Sequence, residues 1–313
     1  MTGNGCITAR IFGGLGNQLF CYAAARRLAL VNDVPLKLDV VSGFVRDSFA
    51  RRYLLDRFAV VCEAADEWAS FNHPGGRLRR RLVATVNRRL PFESRWYLEE
   101  ERSHRFDPRL LRFRVTRPVY STGYWQSERY FADIEDTLRR ELRFRVSHSS
   151  GSRELAAEIQ EVEAVSVHAR TFSAVPEASI RTIWNTPLPP TYYSRAIHKM
   201  VAHLHQPVFY CFSDDLDWAR GRLPSDVPMN YVDVNAGRGY DGAVDDLWLM
   251  SRCKHHVLSN STFSWWGAWL GRTVDGIVIV PSELRRAHPD HYPEGYASVP
   301  VGRPIEPRPD KTD

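Results

Sequence analysis

The chain has 313 residues, 43% of them hydrophobic, enough for two domains that each bury a core. Its net charge of +5 is modest, and its five cysteines, Cys6, Cys21, Cys62, Cys211 and Cys253, are scattered without paired spacing, which argues for reduced thiols and against a disulfide framework or a zinc site. No apolar run nears 18 residues and no charged, apolar, small-residue leader is visible, so a cytoplasmic protein without span or signal peptide is expected.

In chain order, Cys6 to Phe12 reads as a strand, Gly13 to Gln18 as a glycine-rich turn, and Leu19 to Ala29 as a helix. Such a turn lets backbone approach a ligand because no Cβ intervenes, which makes Gly14, Gly16, Asn17 and Gln18 candidates for ligand contact. Val34 to Val41 suits the next strand, and Asp39 lies near where a dinucleotide-binding fold places a ribose-binding acid. Laying G-x-G-x-x-G over Gly14 to Leu19, however, puts Leu19 where that fingerprint needs its third glycine. A nicotinamide-dependent oxidoreductase is therefore a rival reading with an imperfect fit.

An arginine-rich insertion runs to about Pro118 and includes Arg77, Arg79, Arg80, Arg81, Arg88 and Arg89. Within it Leu78, Leu82, Val86 and Leu90 recur every four residues, the pattern of a basic amphipathic helix. Two readings stand: a solvated face over a packed stripe, or peripheral contact with an anionic membrane carrying a lipid-linked acceptor. Nucleic acid is not expected, since the basic residues lack interleaved aromatics and a reader motif. Val119 to Leu142 then reads as strand, turn at Tyr124 to Ser127, and helix, with Tyr124 and Trp125 as aromatics that can stack on sugars.

The polar stretch Ser147 to Ser152 has linker composition, which divides the chain at 1–150 and 151–300, with a tail at 301–313. From Arg153 the pattern is helix, strand at Ala164 to His168, a proline-rich loop through Pro190, helix from Thr191 to Leu204, and strand from Val208 to Phe212. Next comes Asp214-Asp215-Leu216-Asp217, whose D-x-D spacing suits either a divalent metal or ordinary capping of a helix start. In Asp245 to Leu270, two acids precede Leu247, Met250 and Cys253 at helical spacing, His256 to Leu258 suits a short buried strand, and Ser259, Asn260, Ser261 and Thr262 open a second helix. A helix start of this kind, at a strand's carboxyl end, is a ready phosphate site; its plainer reading is an N-cap, with Trp265, Trp266 and Trp269 as core. Gly276 to Pro281 adds one more buried strand. Alternating strands and helices mean parallel sheets covered on both faces.

Three motifs together resemble the α-1,2-fucosyltransferase family, glycosyltransferase family 11. They are Gly13-Gly14-Leu15-Gly16-Asn17-Gln18-Leu19-Phe20 followed by Tyr22-Ala23, then Phe212-Ser213-Asp214-Asp215, and Ser259 through Leu270. Their order and rough spacing agree from Ile11 to about Pro281. The resemblance implies a GT-B-like α/β fold, two Rossmann-like domains with parallel sheets facing across a cleft, the first on the acceptor side and the second binding a GDP-sugar. It implies inverting, metal-independent transfer of L-fucose from GDP-fucose to a sugar hydroxyl of a glycan or lipid-linked acceptor, with no cofactor. The chain is similar to the bacterial, unanchored members.

One family element is altered. Where members carry His-x-Arg-Arg-x-Asp-Tyr, this chain has His168-Ala169-Arg170-Thr171-Phe172-Ser173-Ala174. Arg170 offers a permanently charged fork of donors to a departing diphosphate and is the expected catalytic residue. His168 contacts phosphate, orients the loop, or is simply a satisfied semi-buried histidine, three readings that stand side by side. The donor-binding set is Gly14, Gly16, Asn17, Gln18, His168, Arg170, Asp214, Asp246, Asn260, Ser261, Thr262 and Phe263. Of these, Asp246 is implied by related GDP-fucose users as an acceptor for guanine's ring N–H and amino group, and its plain reading is a helix N-terminal charge. With the family's aspartate absent, Glu177 and His168 are near in sequence to the general base's place, and the base stays unassigned. A transferase for another GDP-sugar and an inactive sugar-binding relative remain open beside the oxidoreductase.

Overall fold

The computed structural model describes residues 5–102, 105–172 and 186–301. The chain divides into two compact units, Met1–Val146 and Ser147–Asp313. In the first, β1 (Ile7–Arg10), α1 (Leu15–Val31), β2 (Leu36–Asp39), β3 (Glu63–Ala64), α2 (Gly76–Arg88), β4 (Tyr97–Glu99), β5 (Val119–Thr122) and α3 (Glu135–Glu141) follow in order. The strands form a sheet of order β3-β2-β1-β5-β4, parallel throughout.

The second unit runs α4 (Ser150–Gln160), β6 (Ala164–Ala169), α5 (Pro190–His203), β7 (Val208–Ser213), α6 (Leu216–Arg222), β8 (Met229–Tyr231), α7 (Gly239–Met250), β9 (His255–Val257), α8 (Thr262–Leu270), β10 (Val278–Pro281), α9 (Ser282–Ala287) and β11 (Ala297–Val299). Its parallel sheet has the order β11-β10-β9-β6-β7-β8. The six residues of β6 are all buried, as a central strand covered on both faces requires. Trp265, Trp266 and Trp269 are fully buried on α8, so the three indoles are core. There Gly267 admits Met250 of α7, whose Cβ would stand 3.1 Å from any Cβ at 267.

Several boundaries differ from the sequence reading for local reasons. The glycine turn is shorter than expected. Gly14 is the extended N-cap of α1, so Gly16, Asn17 and Gln18 lie in the helix's first turn. Gly13 turns the chain with φ of +79°, in the region that glycine favours, and a Cβ there would sit 2.8 Å from Asn17 Nδ2. Helix α7 begins at Gly239, six residues before Asp245, so the two acids lie within the helix rather than ahead of it. The short strands β3, β4, β8 and β11 had no readable signal, because two or three residues cannot show a period. Residues beyond 301, expected as a tail, lie outside the described residues.

Candidate functional site

The order of the second sheet reverses between β6 and β9: the chain builds β6, β7 and β8 outward on one side, then returns to lay β9, β10 and β11 on the other. In such sheets the crevice for a ligand opens outside the carboxyl ends of the strands at the reversal. Register fixes what meets there. Val167 pairs with Val257 and Ala169 with Ser213, so the loops after β6, β9 and β7 leave the sheet side by side. Those loops carry Arg170, Ser259 to Thr262, and Asp214.

Hydrogen bonds tie the three loops together. His168 Nδ1 is 2.9 Å from Ser259 Oγ. Arg170 Nη1 lies 3.2 Å from Asp214 Oδ2, and the other oxygen of Asp214 accepts from the backbone N–H of Thr171 at 2.7 Å and from its hydroxyl at 3.0 Å. Ser213 Oγ donates to the carbonyl of Ala169 at 2.6 Å. Thr171, where the family has its second arginine, thus anchors the acid beside Arg170. Phe263 lies with its ring 5.5 Å from that of His168. The Arg170 side chain is 35% exposed and Asp214 16%, so the guanidinium is held on one side and open to solvent on another.

Electrostatics sort the roles. Burial first, and the charge of Arg170 second, push the His168 pKa down to about 3, so the imidazole stays neutral at ordinary pH. A proton acceptor so weak is a poor general base. Glu177, the other residue close in sequence, lies outside the described residues, as do Ser173 and Ala174 of the altered motif. The N-terminus of α8 adds the positive end of a helix: Ser261 caps it by accepting from Phe263 N at 3.2 Å, and Thr262 and Phe263 are partly exposed. Asn260 is different. It is 2% exposed and its amide donates to the Thr186 carbonyl at 2.8 Å, which engages the side chain within the protein.

The aspartates after β7 do not act as a set. Asp215 N-caps α6 by accepting from Trp218 N at 2.8 Å, and the Asp217 side chain is fully exposed. Among the described residues, no three His, Cys, Asp or Glu side chains gather as a metal site would need.

Asp246 sits in the middle of α7, which overturns its reading as a helix N-terminal charge. Its Oδ1 accepts from Asn235 Nδ2 at 2.7 Å. Burial raises its pKa to about 6, against the pull of that hydrogen bond. The neighbouring Asp245 is 2% exposed and turned the other way, to His148 Nδ1 at 2.7 Å, Ser152 Oγ at 3.3 Å and Arg238. Those bonds hold the Asp245 pKa below its ordinary value in spite of burial. Asn235, Arg238 and Ser152 were missed from sequence because they are dispersed polar residues with no mutual spacing.

The first sheet also reverses, between β1 and β5, and Phe12 and Tyr124 leave those strands stacked at 4.4 Å. Tyr124 is partly exposed, but Trp125 is 2% exposed and packs edge-on against Tyr130 at 5.5 Å, so it is core rather than a sugar platform. Gln18 is likewise engaged within the protein. It is fully buried and spends its amide on backbone, donating to the carbonyls of Gly13 at 3.0 Å and Arg52 at 2.9 Å and accepting from Leu54 N at 2.9 Å. Gly16 is buried inside α1, and Asn17 accepts from Gln126 Nε2 at 2.8 Å. Gly14 and Asn17 are partly exposed, and Gly14 has open space where a Cβ would be. Asp39, the ribose-binding acid of the oxidoreductase reading, is 1% exposed and bound by Ser42 and by Tyr120 Oη at 2.7 Å.

The sequence model of the family described as Glycosyl transferase family 11 matches residues 92–291. An alpha-1,2-colitosyltransferase of Escherichia coli is 29% identical over 281 residues, covering 88% of this chain and 91% of its own. A galactoside 2-alpha-L-fucosyltransferase SEC1 of Bos taurus is 36% identical over 87 residues, 26% of this chain and 23% of its own. Among solved structures, a variant of Arabidopsis thaliana FUT1 in complex with GDP superposes with a TM-score of 0.50 at 13% identity, over 88% of this chain and 70% of that one.

Proposed function

The chain belongs to glycosyl transferase family 11 and is a glycosyltransferase of the GT-B fold class, and from that premise we propose that it moves L-fucose from GDP-fucose to a sugar hydroxyl with inversion. The supporting observation is that Arg170 follows β6 and the α8 N-terminus follows β9, neighbouring strands at the reversal of the second sheet. The second unit holds the donor, and the first is assigned to the acceptor, a glycan or lipid-linked sugar. Arg170 and the α8 amides take the diphosphate, and Asp246 accepts from guanine. Asp214 positions Arg170, and His168, neutral, positions Ser259.

In the reaction, the bond from the sugar's anomeric carbon to the phosphate oxygen breaks while a bond to the acceptor oxygen forms, and the hydroxyl proton passes to solvent. Negative charge grows on the departing GDP, so a fixed guanidinium and a helix dipole are stronger in the transition state than in the ground state. That pair supplies the charge stabilisation a divalent metal gives in other transferases, and the reaction is assigned as metal-independent. A related donor is the second reading, because the relative that spans 88% of this chain transfers colitose.

Thermal melts with GDP, GDP-fucose, UDP and NAD test the assignment, since a ligand that binds only the folded state raises its midpoint by mass action. GDP and GDP-fucose are expected to raise it; a shift with NAD and none with GDP overturns the reading. For Arg170→Ala, turnover falls by about 100-fold or more while GDP affinity falls far less, as loss of one preorganised charge donor implies. Steady-state kinetics beside GDP calorimetry separates the two, and an unchanged turnover number removes Arg170 from the chemistry.

A further inference from the structure

Helix α2 carries two apolar faces. Val83 and Ala84 pack against the buried cluster of Phe71, Tyr97 and Tyr120, and Gly76 and Asn87 are buried on the same helix. On the opposite side Leu78, Leu82 and Val86, one turn apart each, are 63%, 60% and 50% exposed. Beside them Trp68 is 65% exposed, held by His73 at a ring distance of 4.2 Å and by Arg79, whose guanidinium lies 5.1 Å from the indole. Exposed large apolar groups aligned as a ridge, rather than scattered singly, mark a surface that something covers.

The charge around the ridge says what. From Trp68 to Phe92 the chain has no acidic residue, and α2 with its C-cap contributes Arg77, Arg79, Arg80, Arg81, Arg88 and Arg89. On the helical wheel Arg77 and Arg81 flank the ridge on one side, together with Arg88, which is paired with Glu99 at 2.8 Å, and Arg79 lies on the other. A second copy of the chain set symmetrically on this face would bring two arginine clusters together, which electrostatics opposes. Arginines flanking a ridge of leucine, valine and an exposed tryptophan match a bilayer with anionic headgroups, where the ridge enters the headgroup boundary and the guanidinium groups meet phosphates.

We propose that the face of α2 formed by Leu78, Leu82 and Val86, with Trp68 and the arginines beside it, docks the protein on an anionic lipid surface. The docking is reversible, since one short ridge inserts far less than a spanning helix, and it does not depend on which sugar donor the enzyme takes.

Sedimentation of the full chain with vesicles tests it, using phosphatidylcholine alone and phosphatidylcholine mixed with phosphatidylglycerol. The expected result is binding to the mixed vesicles only, weakening as salt is raised. Two double variants separate insertion from charge: Leu78→Ser with Leu82→Ser, and Arg77→Glu with Arg81→Glu. Each is expected to lower binding by about tenfold or more, with circular dichroism and the GDP-dependent melt unchanged because the four side chains are exposed. The proposal is overturned by failure to bind the mixed vesicles, by equal binding to phosphatidylcholine alone, or by a serine variant that binds like the parent. It is equally overturned if the serine variant instead abolishes a concentration-dependent dimer.

Discussion

At the scale of single residues, the pair Asp245 and Asp246 shows how a single residue step along a helix can separate two carboxylates into different chemistries. Asp245 is surrounded by a histidine, an arginine and a serine, so its charge is compensated. Asp246 accepts from an amide donor on Oδ1, and burial lifts its pKa to about 6. In the proposed role, a carboxylate that accepts from guanine's two donors must be ionised. GDP affinity is therefore expected to weaken as pH falls through about 6, and Asp246→Asn to bind weakly with that dependence removed. Calorimetry on both proteins checks this, since the phosphate's own titration is common to the two profiles and cancels in their difference. Parallel profiles for the two proteins sink the role. Arg170 and Asp214 make the complementary case: a charge pair left partly open, in which the acid also grips Thr171, so the cation is aimed without being wholly neutralised.

Elements place these residues, and they do so by strand order more than by loop shape. Because β9 lies next to β6, residues about ninety positions apart share a hydrogen bond between His168 and Ser259. The same logic governs α2, whose orientation is set at its C-terminal end. Asn87 is 1% exposed; its Oδ1 accepts from Trp96 N at 2.8 Å and Tyr97 N at 3.0 Å, and its Nδ2 donates to the Val83 carbonyl at 2.9 Å. Asn87→Ala leaves two backbone N–H groups beside β4 without their acceptor, an expected cost of about 2 kcal/mol or more in urea unfolding. A loss within experimental error would mean that water or a shifted loop replaces the amide.

For the whole molecule, buried histidines dominate the response to mild acid. His168 and His256 are both neutral in the fold, their pKa pushed down to about 3 by burial, and burial also lowers that of His255. The unfolded chain takes up protons on these groups below about 6.5, while the folded one does not, so stability is present above that pH and drains away as pH falls toward 3. Asp246 opposes this, because its raised pKa lets the fold bind a proton between about 6 and the ordinary carboxylate value, and so does His198, raised by its hydrogen bond to Asp226, but the two act against three buried histidines. The thermal midpoint is expected to drop steadily from about pH 7.5 to about 4.5, and His256→Asn to flatten the fall. His256 serves that test because it lies inside the sheet, bonded to Ser166 Oγ at 2.7 Å, away from the proposed donor contacts. A His256→Asn slope as steep as the parent's would remove it from the acid response.

The sequence by itself determined the alternation of buried strands and helices, the family to which the motifs belong, and the polar helix start at Ser261, because these depend on neighbours along the chain: period, capping and glycine at a turn. It also carried Arg170 as a candidate, since a fixed cation after a buried strand has a clear chemical use. Side-chain direction was not legible. Gln18 and Asn260 are donor types with every local mark of ligand contact, yet both point inward to backbone carbonyls that distant segments supply, and Trp125 fills core for the same reason. The tertiary structure alone decided that Leu78, Leu82 and Val86 face outward, because the competing stripe of Val83 and Ala84 was chosen by the aromatic cluster it found. A helix with two apolar edges has no local reason to prefer one, and the choice falls to whichever edge meets a partner.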